Sequence, residues 1–112
     1  MSDALFQIIE KRLLTEGISQ RIDAVAILSQ VGLQWRYSKI PRLHIQGGRE
    51  QDLSGTGADK IRVYRKAYAI SEESDGTFTV MLVLDKQEFI PVPTLGEAVL
   101  LVLRKYREAG LL

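Results

Sequence analysis

Between residues 61 and 106 the hydrophobic pattern changes its period once, and that change limits the fold more than any other feature of the chain. Residues 61–70 alternate with period two. Ile61, Val63, Ala67 and Ala69 share one face, interrupted by Arg65, while Arg62, Tyr64, Lys66 and Tyr68 share the other. The stretch 71–76, SEESDG, is turn chemistry ending in Asp-Gly, and residues 77–84 alternate again as a second strand. A tight turn at 85–87 leads to a short third strand, which Pro91 and Pro93 stop or confine to an edge. From Thr94 the period becomes helical. Thr94 and Glu97 have the T-x-x-E spacing of a capping box, in which each side chain can satisfy the other residue's backbone amide. Leu95, Ala98, Val99, Val102, Leu103 and Tyr106 then form one apolar face.

Upstream, residues 3–16 predict a helix with Leu5, Ile8, Ile9, Leu13 and Leu14 as its apolar stripe. Ser2 or Asp3 can cap its start, and Gly17 sits where a left-handed terminator is wanted. A second helix is expected from about 19 or 23 to 31, although AVAIL is equally compatible with a buried strand. Residues 33–45 alternate as an extended segment that Pro41 interrupts. Residues 46–59 hold four glycines in fourteen positions, which predicts a long, flexible, glycine-rich loop. The expected architecture is α+β: two N-terminal helices, a small, mainly antiparallel sheet of three to four strands, and a C-terminal helix packed on it.

A chain of 112 residues predicts one domain spanning 1–112. The absence of cysteine removes a disulfide framework and thiolate metal sites, and fits a reducing, cytoplasmic compartment. The charged N-terminal stretch is unlike a signal peptide, and the longest apolar run, 98–103, is far too short to span a bilayer, so no membrane association is expected.

Net charge is only +1, but it is unevenly spread. Residues 35–66 carry eight cations against three anions, while the rest of the chain is net acidic. Such a division can mark a surface for a polyanion, or two faces that attract each other in an oligomer. The cations alternate with phenols in IRVYRKAY. Arg62, Tyr64, Lys66 and Tyr68, extended by Arg36, Tyr37, Lys39 and Arg42, define the expected binding face. Aromatic rings can stack on unpaired bases while neighbouring cations meet phosphates. The same residues also suit the solvent side of an antiparallel sheet.

No catalytic constellation is recognisable. His44 is the single histidine and lacks further ligands at metal-binding spacing, so neither metal nor cofactor is expected. SGTGADK has glycines but not the P-loop spacing, and a strand rather than a helix follows it. Leu100 and Leu101 lie off the main stripe of the last helix, and the chain ends in Leu111 and Leu112. These four leucines predict a homodimer interface. The reading is therefore a non-enzymatic binding or assembly domain that self-associates and offers its basic-aromatic sheet face to a protein partner. The first alternative is single-stranded DNA or RNA on that face. The second is a small-ligand site or enzyme built from His44, Arg49 and the 47–57 loop.

Overall fold

The computed structural model describes residues 1–54 and 61–112, with residues 50–54 and 61–63 described by their backbone. The expected class holds, and the sheet is larger than expected. Helices α1 (Asp3–Thr15), α2 (Arg21–Gln30) and α3 (Leu95–Glu108) accompany strands β1 (Gln34–Tyr37), β2 (Leu43–Gly48), β3 (Glu50–Ser54), β4 (Ile61–Arg65), β5 (Ala67–Glu72), β6 (Phe78–Val83) and β7 (Gln87–Val92). Five strands form one antiparallel sheet in the order β1-β2-β5-β6-β7, and β3 pairs with β4 as a separate two-stranded arm.

Two features account for the strands that the sequence reading merged or missed. Pro41 lies in the turn between β1 and β2, so the segment read as one interrupted strand is a hairpin. The expected loop at 46–59 begins instead as strand. Gln46 to Gly48 complete β2, residues 50–54 form β3, and the rest of that expected loop lies outside the described residues. Glycine in β2 serves packing there. A Cβ on Gly47 would lie 1.8 Å from the Gln34 carbonyl oxygen, so only glycine lets β1 approach this closely.

Capping follows the sequence. The Ser2 hydroxyl accepts from the Leu5 amide at 3.2 Å, and the Thr94 hydroxyl accepts from the Glu97 amide at 3.1 Å. The reciprocal half of the capping box takes another route, because the Glu97 carboxylate accepts from the Thr94 hydroxyl. Gly17 and Gly32 follow α1 and α2 with positive φ, as helix terminators do. AVAIL is helical, and Ala24, Val25, Ile27 and Leu28 bury its inner face.

All three helices pack on one side of the sheet. Phe6, Ile9 and Leu13 of α1 meet Leu100, Leu103 and Tyr106 of α3 in a core shared with Ile45, Tyr68, Ile70, Val80 and Leu82 from the strands. Glu10 accepts from Arg104 at 2.9 Å, and Asp3 pairs with Arg107, tying α1 to α3 at the surface. Leu100 is only 3% exposed, while Leu101, Leu111 and Leu112 are partly buried against the same core. Leu100 is thus a core residue, whereas Leu101, Leu111 and Leu112 keep part of their surface exposed.

Candidate functional site

The strand expected across IRVYRKAY is broken at Lys66, whose φ is +48°. The break ends β4 and starts β5 in another sheet, and it changes which residues share a face. Tyr68 turns inward and is 1% exposed. Its hydroxyl donates to the Gln34 carbonyl at 3.0 Å, and its ring meets Tyr106 edge-on at 6.0 Å. Burial pushes the Tyr68 hydroxyl well above its ordinary pKa, with smaller contributions from Tyr106 and Tyr64. Tyr68 is a core residue and presents no ring for stacking. Alternation carried straight through Lys66 put it on the wrong side.

Lys66 is anchored as well. Its Nζ donates to the Leu84 carbonyl at 3.0 Å, and its own carbonyl accepts from the Tyr106 hydroxyl. Tyr64 lies with its ring beneath the Arg36 guanidinium, 5.9 Å from centroid to carbon, and its hydroxyl is enclosed without a hydrogen-bond partner among the described residues. The Gln46 amide oxygen, when turned toward Arg36, accepts from Nε at 2.7 Å and from Nη2 at 2.6 Å. Arg62 belongs to β4, but its side chain lies outside the description. Tyr37 alternates to the opposite side of β1 from Arg36, stacks under Arg21 at 5.0 Å and packs against Trp35. Lys39 and Arg42 are exposed in the β1–β2 turn. The expected single basic-aromatic face therefore separates. Arg36 and Tyr64 meet where the arm joins the sheet, Lys66 directs its ammonium to the Leu84 carbonyl, and Tyr37, Lys39 and Arg42 lie elsewhere.

The sheet face opposite the helices carries a feature the sequence reading missed. Along β6, Phe78, Val80 and Leu82 point inward, so Thr79, Met81 and Val83 point away; along β7, Phe89 and Pro91 do likewise. The strand register aligns Arg36, Gln46, Ala69, Met81 and Phe89 in one row across all five strands. Phe89 is 64% exposed and Val83 is 38% exposed. In EFIPV either phase of the alternation is apolar, so nothing in that segment marks which residue faces out. Pairing with β6 decides it.

His44 lies in a shallow groove of about 440 Å³ lined also by Ser19, Arg21, Tyr37 and Glu72. Its Nε2 is 3.0 Å from the Glu72 carboxylate, and its Nδ1 is enclosed without a hydrogen-bond partner. Nε2 thus pairs with a carboxylate that lines the same groove, while Nδ1 is enclosed. Arg49 is at the other end of β2, and its amide donates to the Arg65 carbonyl at 3.1 Å. The structure does not bring His44 and Arg49 together. Among the described residues no group of three or more histidine or acidic side chains could hold a metal ion, and no helix is long and apolar enough to cross a membrane.

Comparison with protein-family models, curated proteins and solved structures finds no match.

Proposed function

We propose that this chain is a non-enzymatic binding and assembly domain that associates through the helix-free face of its five-stranded sheet, taking a second copy of itself as partner. One observation carries the reading. An antiparallel sheet with helices on one side ordinarily turns a polar face to water, yet here Phe89 is 64% exposed on that face, beside Met81 and Val83. Exposed apolar residues grouped on one surface mark interaction sites more often than scattered ones do. The row from Arg36 to Phe89 holds one cation and no acid.

Size-exclusion chromatography with light scattering tests this directly. At ~100 μM the wild type should run as a dimer, since even a Kd of ~10 μM leaves most chains paired at that concentration. Phe89→Glu should run as a folded monomer. A wild type that is monomeric at ~100 μM would overturn the reading. The same run with mixed single-stranded DNA and RNA addresses the cations near Arg36. A complex that dissolves steeply with added salt would move the function to nucleic-acid binding.

A further inference from the structure

Strand β1 is an edge of the five-stranded sheet, with β2 on one side and no neighbour on the other among the described residues. The hairpin register fixes which of its backbone groups stay open. The Ser38 amide donates to the His44 carbonyl at 3.3 Å, and the Gln34 carbonyl points at Gly47. Hydrogen-bonded and non-bonded pairs alternate along an antiparallel ladder, so Gln34 and Arg36 direct their backbone groups to β2. Trp35 and Tyr37 then turn their N–H and C=O groups outward, along the free side of the strand.

The opposite edge is a poorer template for an added chain. β7 contains Pro91, which has no amide to donate, and Pro93 lies just beyond it. β1 has no proline among its four residues, and so keeps the open row of donors and acceptors that edge strands present.

The charge around β1 identifies the chain that fits. Arg36 lies on the helix-free side of the strand, Arg21 stands over the Tyr37 ring on the helix side, and Lys39 and Arg42 follow in the turn to β2. Among the described residues none of the four has a carboxylate within ion-pairing distance. Exposed Tyr37 and Ile22 border the groove on the helix side, and Glu72 in that groove is paired with His44. A strand laid beside β1 alternates its side chains as β1 does. Its residue opposite Tyr37 meets the apolar border, and its residue opposite Arg36 meets a cation.

A second copy of the chain does not meet these conditions. Antiparallel pairing of two β1 strands through both open residues sets Arg36 directly opposite the Arg36 of the other copy, and like charges in that position destabilise a pair.

We propose that the free edge of β1 binds an extended segment of a partner protein, with acidic and apolar residues alternating along it, by adding it to the sheet as a further strand. This site is at the far edge of the sheet from Phe89 and does not depend on self-association.

Trp35 is the only tryptophan and belongs to this strand, so its emission reports binding directly. The probe is a capped peptide of about eight residues alternating glutamate and valine, long enough to span β1. One control has the same composition with its glutamates together, and another alternates lysine and valine. The alternating acidic peptide should bind at least tenfold more tightly than either control. Arg36→Glu should weaken it at least tenfold and strengthen the lysine peptide. Amide hydrogen exchange of the wild type is a second readout that needs no variant. The Trp35 and Tyr37 amides should gain at least tenfold protection with peptide, while the Arg36 amide, already within the hairpin, changes less. Equal binding of the control with its glutamates together would show attraction by charge without strand pairing. Unchanged Trp35 and Tyr37 amides at ~1 mM peptide would show an edge that stays open. Either result overturns the inference. So does protection of both amides at ~100 μM protein without peptide, which would mark the edge as taken by a second copy.

Discussion

The hydroxyl of Tyr106, on the last turns of α3, donates to the main-chain carbonyl of Lys66, the residue at which one strand ends and another begins. Lys66 has a φ of +48°, a region that a side chain with a Cβ enters at a cost, and such conformations persist where surrounding structure holds them. The helix thus braces the point at which the arm departs. Tyr106 is fully buried, so its hydroxyl is the natural partner for that carbonyl.

Tyr106→Phe should therefore destabilise the fold by about 1–3 kcal/mol, because it leaves the Lys66 carbonyl without its donor. Urea denaturation gives the value. An unchanged midpoint would show that the contact contributes nothing.

Alkaline pH should unfold the protein through Tyr68 and Tyr106. Burial raises the hydroxyl pKa of both Tyr68 and Tyr106 above the ordinary 10.0. In the unfolded chain they lose protons near pH 10, while in the folded chain they keep them. Their contribution is complete below pH 10 and is lost as pH rises above it, at up to about 2.7 kcal/mol per pH unit for two groups. Denaturation midpoints between pH 8 and pH 11.5 should fall along this slope. Tyr68→Phe should roughly halve the slope, and an unchanged slope would contradict the assignment.

Gly47→Ala should be severe. Its Cβ would stand 1.8 Å from the Gln34 carbonyl oxygen, a backbone atom that cannot swing aside, so β1 must shift from β2. A loss of roughly 3 kcal/mol or more is expected, measurable as a lowered thermal midpoint. A stability within ~0.5 kcal/mol of wild type would show that β1 moves freely.

Leu100→Ala separates core from interface. A side chain that is 3% exposed should cost about 2–5 kcal/mol when truncated. The loss should be the same at every protein concentration, as measured by denaturation at ~1 and ~100 μM. A cost that appeared only at the higher concentration would return Leu100 to an interface role.

Much of the fold was legible because it depends on local chemistry. The Thr94 cap, the turn in which Asp75 Oδ1 accepts from the Thr77 amide and hydroxyl, and the glycines closing α1 and α2 each need only near neighbours in the chain. Those hydrogen bonds also hold the Asp75 carboxyl below its ordinary pKa. The candidate site was less legible. Arg36 and Tyr64 both fall in the basic-aromatic alternation, but so does Tyr68, which is buried, while exposed Phe89 lies outside it.

What the sequence determined by itself was the α+β class, the first and last helices with their N-terminal caps, and the turn before β6, because period, caps and turn residues act over a few positions. Only the tertiary structure decided which way each strand faces. Alternation has period two, so one residue in an irregular conformation exchanges the faces of everything beyond it, and Lys66 is such a residue. Its positive φ follows from no local preference of lysine. It is accompanied by contacts with Tyr106 and the Leu84 carbonyl, 40 and 18 residues distant. The exposure of Phe89 has the same origin, since both phases of β7 are apolar and its register with β6 chose between them.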